Sequence, residues 1–204
     1  MTTPRLTRSD WINAAMNVLA TGGIDLVRVD NLAKKLKITR GSFYYHFDNR
    51  QELLQAILEQ WRAKATEAVI ESLKKHALTP QEQLIELITL PYKGDRSFKA
   101  ASIEISLRAW ARRDPVAKAA VQEVDSYRIS YIEKLFTEMG HPQEQAADIA
   151  HLVYSFLVAT SLMANEDSAT DQTQRARRLA IFLSENCPLA ECSHRQQTLA
   201  KTTS

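Results

Sequence analysis

The stretch VDNLAKKLKITRGSFYYHFDNRQELL, residues 29–54, holds two short runs of helical spacing on either side of a small break. Val29, Leu32, Ala33 and Leu36 recur at i, i+3, i+4 and i+7, the stripe of an amphipathic helix of about two turns. After two or three residues, Thr39 is placed to cap a further short helix through His46. In that helix Phe43 and Phe47 lie four apart and share an inward face with Leu36 and Leu53, which turns Arg40, Ser42, Tyr44, Tyr45 and His46 outward. Asn49-Arg50-Gln51-Glu52 has the form of a capping box, and it opens a long helix whose stripe is Leu53, Leu54, Ile57, Leu58 and Trp61.

Working outward, the punctuation stays helical. Thr7-Arg8-Ser9-Asp10 is a capping-box pattern ahead of Ile12, Ala15, Met16 and Leu19, and Gly22-Gly23 stops that first helix. Thr79-Pro80-Gln81-Glu82 starts another, with Leu84, Leu87 and Ile88 on its apolar side. A helix from about Phe98 carries Ile103, Leu107 and Trp110 to Asp114-Pro115, a second cap followed by proline. Val116, Ala120, Val124, Tyr127, Tyr131 and Leu135 trace one face of a long helix that closes at Gly140. Two more are expected over residues 143–165 and about 172–186. The expectation is an all-α chain of about nine helices, divided as 1–50, 51–186 and a frayed tail over 187–204.

At 204 residues, with 45% hydrophobic and 25% charged content, the chain can bury a core as one large or two small domains. Leu152 to Met163, the longest apolar run, is shorter than a bilayer crossing. The N-terminus lacks the apolar core of a signal peptide, and two cysteines cannot staple a chain this long, so a cytoplasmic location is expected. The net charge of +2 hides an asymmetry. Residues 1–50 carry eight Lys/Arg against four Asp/Glu, a balance of +4, while the remainder carries 18 against 20. The first quarter of the chain is therefore suited to a polyanion.

Two short helices beside a covering third make the plan of a helix-turn-helix, whose second short helix enters the major groove of duplex DNA. Tyrosine hydroxyls can hydrogen-bond phosphates while their rings lie against sugars or thymine methyls. Gly41 allows close backbone approach, and the fork of Arg40 matches guanine O6 and N7. Arg50, at the start of the next helix, is placed for a flanking phosphate.

These residues, with the preceding TGGID turn, resemble the N-terminal domain of the tetracycline-repressor (TetR) family of bacterial transcriptional regulators over about residues 7–58. The resemblance implies a homodimer whose second domain binds a small-molecule effector and so changes affinity for a double-stranded DNA operator. Carried over by position, Arg40, Gly41 and Ser42 face bases or nearby phosphates, Tyr44 and His46 the backbone, Tyr45 sugars and bases, and Arg50 a phosphate; Thr39 and Arg28 complete the set. Arg28 stands where the family often has a capping threonine, and Lys37 where a turn glycine is usual. A left-handed Lys37 would be strained by about 1–2 kcal/mol.

Farther along, Trp61, Tyr92, Arg108, Trp110, Tyr127 and Tyr131 are candidates for an effector cavity of mixed polarity, against the plainer role of core aromatics with satisfied polar tips. From Ala146 to Ala164 apolar residues occur on all sides of one helix, which calls for burial beyond what a single subunit supplies. Val153, Phe156 and Leu157, with Ala176, Leu179, Ala180 and Leu183 of the last helix, are expected in a two-fold four-helix interface. Glu144, Asp148 and His151 at i, i+4, i+7, and Cys187, Cys192 and His194 in the tail, are read as bystanders and not metal ligands. No nucleophile, base or cofactor motif stands out, so no catalytic residue and no cofactor is assigned. An all-helical enzyme and a protein that coats DNA without regard to sequence remain as alternatives.

Overall fold

A computed structural model describes residues 6–76, 78–163 and 167–185, without the side chains of 65, 95 and 96; the tail beyond residue 185, including Cys187, Cys192 and His194, lies outside the described residues. Among these residues there are ten α-helices and no strand. In chain order they are α1 (Arg8–Gly22), α2 (Val29–Leu36), α3 (Gly41–Tyr44), α4 (Arg50–Arg62), α5 (Ala68–Lys75), α6 (Pro80–Thr89), α7 (Asp95–Ala111), α8 (Pro115–Glu138), α9 (Gln143–Leu162) and α10 (Ala169–Glu185). A 3₁₀ turn at Ile24–Leu26 joins α1 to α2.

The tenth helix comes from a break that hydrophobic periodicity did not announce. A π-helical turn, Ala63–Glu67, separates α4 from α5. Such a turn adds one residue to the helical ladder. The buried stripe of α4 runs through Leu54, Leu58 and Trp61, then skips five positions to Thr66 before returning to a step of four at Ile70. The extra residue keeps one side of the rod buried where a regular helix would have rotated it away.

The chain forms two compact units. The first comprises Met1–Glu71 and Asp95–Asp125. Its core gathers Trp11, Ala15 and Leu19 of α1, Leu32 of α2, Phe43 and Phe47, Leu53, Ile57 and Trp61 of α4, Leu107 and Trp110 of α7, and Val121 and Val124 of α8. Phe43 is its keystone. Its ring meets Trp11 edge-on at 5.2 Å and stacks on Phe47 at 5.2 Å. Each such ring contributes about 1.5–3 kcal/mol by burial alone. This cluster does not stop at residue 50, because the first three turns of α4 and much of α7 are part of it.

The second unit comprises Ser72–Gly94 and Ser126–Ser204. In it α6 packs on α10, and Gln81 donates to Ser184 Oγ at 2.8 Å. Leu84, Ile88, Ile132, Leu135, Phe136, Ile149, Val153, Ala176 and Ala180 are buried.

Helix starts follow their caps. Thr7 with Asp10, and Thr79 with Glu82, form reciprocal capping boxes. Asp114 Oδ1 accepts from the amides of Val116 and Ala117, both at 2.9 Å. Asn49 accepts from the Glu52 amide, but Glu52 reaches back one residue further to the Asp48 amide at 2.7 Å, so that box is not reciprocal. On α8 the inward face is Ala117, Val121, Val124, Tyr131, Ile132 and Leu135, while Val116 and Tyr127 lie outside it. Two neighbouring stripes share Val124, Tyr131 and Leu135, and periodicity alone did not choose between them.

Candidate nucleic-acid interface

The outward surface of the first unit is set by how α2 ends and α3 begins. Lys37 adopts φ 57° and ψ 43°, the one described residue other than glycine with positive φ. The Ile38 amide donates to Ala33 O at 3.0 Å and the Lys37 amide to Lys34 O at 3.2 Å, the two bonds of a Schellman ending. Glycine would take this conformation without strain, and lysine takes it at a cost.

The segment after the turn is shorter as a helix than expected. Only Gly41–Tyr44 is α-helical, flanked by turns in which Thr39 O accepts from the Ser42 amide and Phe43 O from the amides of His46 and Phe47. Thr39 caps through its carbonyl, and no side-chain cap bond is made. Phe43 and Phe47 hold the segment to the core, so the intervening residues point away from it. Tyr44 and Tyr45 are 54% and 67% exposed. Thr39, Arg40 and Gly41 are exposed and Ser42 half-buried. A Cβ on Gly41 would meet nothing nearer than Thr39 Oγ1 at 3.8 Å, so the fold itself has no need of glycine there. Arg40 Nε pairs with Asp30 Oδ1 at 2.9 Å across two exposed groups. A pair of that kind contributes about 0–1 kcal/mol and yields readily to another acceptor. Lys34, Lys35 and Lys37 extend the positive surface along α2 and its end.

Two expected contacts are placed differently. The ring of His46 is half-buried, and its Nε2–H donates to Leu6 O at 2.9 Å. That bond ties the ring to the segment ahead of α1. Arg50 is also half-buried: its Nε donates to Val27 O at 2.6 Å and Nη2 to Ile24 O at 3.0 Å. Both side chains tie parts of the protein together. Arg28 is exposed at the N-cap of α2, caps nothing with its side chain, and donates Nε to Asp25 O at 2.8 Å.

The entry to α1 is braced electrostatically. Thr7's amide and hydroxyl hold the Asp10 carboxyl below the usual carboxylate range. The Asp48 amide, then Arg8, do the same for Glu52. Arg8 also lies over the Phe47 ring, 4.5 Å from its centre.

The six candidates for an effector cavity do not share one setting. Trp61 and Trp110 belong to the core of the first unit. Arg108, in that unit, is held between Glu104 at 2.8 Å and Asp125 at 2.7 Å. In the second unit Tyr131 is buried and donates to Gln83 Oε1. Burial, then the nearby charges, raise its pKa. Tyr127 is 47% exposed and Tyr92 half-buried.

The expected interface residues sort by side. Val153, Ala176 and Ala180 are buried within their own unit. Phe156, Leu157 and Leu183 are half-buried and Leu179 is exposed. Residues outside the expected interface set complete the outer face: Leu152 at 58%, Leu162 at 61% and Phe182 at 53% exposure. Leu152, Phe156, Ala159 and Leu162, at steps of four, three and three, form one stripe of α9. That spacing was visible in the sequence. His151, from the acidic edge of α9, donates Nδ1–H to Ala147 O at 3.0 Å. Among the described residues no helix is long and apolar enough to cross a membrane.

Residues 12–57 match the family model described as bacterial regulatory proteins, tetR family. The HTH-type transcriptional regulator SrpR of Pseudomonas putida is 40% identical over 52 residues, which is 26% of this chain and 24% of that protein. Over 52 residues the chain is also 40% identical to the HTH-type transcriptional regulator TtgW, likewise of Pseudomonas putida, spanning 26% of this chain and 39% of that protein. The chain thus spans well under half the length of these relatives. Solved structures agree over more of the fold. A transcriptional regulator from Rhodococcus sp. Rha1 superposes with a TM-score of 0.70 at 16% identity, over 86% of this chain and 94% of that one. One from Saccharomonospora viridis, in complex with choline, gives 0.70 at 16% over 88% and 96%. Residues 12–57 thus build a domain that matches the one named for the tetR family of bacterial regulatory proteins.

Proposed function

We propose that the chain is a homodimeric transcriptional regulator of the cytoplasm, a repressor that binds a near-palindromic DNA operator and is released by a small-molecule effector. The observation that carries DNA binding is the division of one short aromatic run. Phe43 and Phe47 are sealed in the core, and Tyr44 and Tyr45 between them stand in solvent beside Arg40 and Gly41. Tyr44 and Tyr45 turn rings and hydroxyls to the surface, and a duplex offers such groups phosphates, sugars and methyl groups. Arg40, Gly41 and Ser42 read or approach bases, Tyr44 and Tyr45 hold the backbone, and Thr39, Arg28 and the lysines of α2 add phosphate contacts.

Dimerisation is supported by the outer face of α9 and α10. Leu152, Phe156, Leu162, Leu179 and Phe182 leave in water an apolar surface that a second copy would cover. Exposed Arg175 and Arg178 flank Leu179 and Phe182, and exposed Asp148 lies one turn before Leu152, so opposite charges border the stripe. Two recognition helices about 34–36 Å apart would then meet successive major grooves. Effector binding in the C-terminal helices would lower DNA affinity by the effector's preference for a conformer with the wrong spacing.

Selection of bound duplexes from a random library tests this. The wild-type chain is expected to select an inverted repeat, and Arg40→Ala to lose preference at one position in each half. A base preference unchanged in Arg40→Ala would remove its reading role, and no selection at all would overturn the proposal.

A further inference from the structure

Four successive carbonyls precede α2, and each accepts a side-chain donor. Ile24 O accepts from Arg50 Nη2 at 3.0 Å and Asp25 O from Arg28 Nε at 2.8 Å. Leu26 O accepts from Asn31 Nδ2 at 3.1 Å and Val27 O from Arg50 Nε at 2.6 Å. This is unusual backing for an irregular stretch. It stands where α2 lacks the ordinary device for fixing a helix start, because the N-cap is Arg28, whose side chain has donors only and cannot take up the free amides of the first turn.

The two bonds that come from beyond α2 and its N-cap are both made by Arg50, the first residue of α4. Its planar fork spans two carbonyls three residues apart, a geometry that lysine's single ammonium does not reproduce. The Arg50 side chain is half-buried and turned toward these carbonyls, whereas Arg40 projects from the surface. Arg113 also reaches this turn, through Asp25 Oδ2 at 2.6 Å, but both of those groups are more than half exposed and such a pair contributes little.

We infer that Arg50 governs DNA affinity from inside the protein, as a positioning residue that fixes α2 and the recognition segment against α4, and not as a phosphate contact. The inference rests on the DNA-binding function proposed above. It replaces a missing cap with a strap from the neighbouring helix. Loss of the strap leaves the count of phosphate contacts intact and misplaces the segment that makes them.

Salt titrations separate the two roles. The probe is a duplex selected by the wild-type chain, with Arg50→Lys, Arg50→Gln and Arg113→Ala compared at a temperature where circular dichroism shows each variant folded. Positioning predicts that Arg50→Lys, which keeps the charge, loses about tenfold or more in affinity. The slope of log K against log salt stays as in the wild type, and amide exchange quickens over residues 24–36 but not over α1. Arg113→Ala binds within about threefold of wild type. Wild-type affinity in Arg50→Lys, or a slope lower by about one in Arg50→Gln, is the signature of a phosphate contact and overturns the inference. So does failure of both Arg50 variants to fold at any temperature, since the role would then be the stability of the fold itself. If the wild-type chain selects no duplex, DNA binding fails, while the exchange measurement still decides whether Arg50 fixes α2.

Discussion

The surface around residues 39–46 and the outer face of α9 and α10 both expose large apolar side chains, yet they do so in opposite ways. In the first, rings and polar atoms stand together: Tyr44 and Tyr45 carry hydroxyls and share an exposed surface with Arg40, with their neighbours Phe43 and Phe47 buried. In the second, Leu152, Leu162 and Phe182 are purely hydrocarbon, and charge is confined to the margins. A polyanion with flat, partly apolar grooves suits the former, and a copy of the same helices suits the latter. The same quantity, exposed apolar area, therefore points to different partners once the polar atoms beside it are counted.

The sharpest way to break this contrast is to exchange inside for outside within each region. Phe43→Ala removes the ring between Trp11 and Phe47 and is expected to lower unfolding free energy by about 3–5 kcal/mol in denaturant titrations. Tyr45→Ala, two residues on and exposed, should change stability by less than about 0.5 kcal/mol while weakening DNA binding about tenfold. Comparable stability losses in the two variants would mean that the aromatic run is not divided.

On the other face, Leu152→Glu combined with Phe182→Glu should give a folded monomer in sedimentation, with DNA affinity down by about a hundredfold or more through lost avidity. A stable dimer carrying both charges would move the interface elsewhere. Smaller effects refine the first region. Gly41→Ala adds a methyl that the fold accommodates, so thermal stability should hold while DNA affinity falls; unchanged affinity would remove the close backbone approach. Lys37→Gly should raise stability by about 1 kcal/mol by relieving the left-handed turn. No gain would place the strain elsewhere.

Acid should loosen the entry to α1. Asp10 and Glu52 titrate below their ordinary range, so the stability they add is present above about pH 5 and is lost as pH falls through the ordinary and then the lowered values. Asp10→Asn with Glu52→Gln should flatten the acid limb of a stability-against-pH curve. A limb as steep as in the wild type would trace acid lability to other carboxylates.

Much of this was legible beforehand, for physical reasons that vary by residue. The capping boxes at Thr7 and Thr79 and the stripes of α1, α2 and α4 are local patterns, and packing kept them. Phe43 and Phe47 had to share a side because they lie four apart. The extent of α3 was not legible, since a four-residue helix is held by tertiary contacts and carries little periodicity. The π turn escaped because a step of five between Trp61 and Thr66 looks like the end of a stripe. Arg50 and His46 were read by their charge and position. Nothing in sequence tells whether a polar group beside a surface will turn outward to a ligand or inward to a carbonyl. Similarly, Val153 and Leu152 are equally apolar, and only the packed unit shows which of them it leaves uncovered.

The most direct measurement is competition at physiological salt between a selected duplex and random-sequence duplex for the purified chain. The account predicts preference of about a thousandfold or more, as expected when a recognition segment reads base edges. Equal affinity for both, or no binding to either, would contradict it: the first would make the chain a coating for DNA, and the second would leave Tyr44, Tyr45 and Arg40 without the duplex they are arranged to meet.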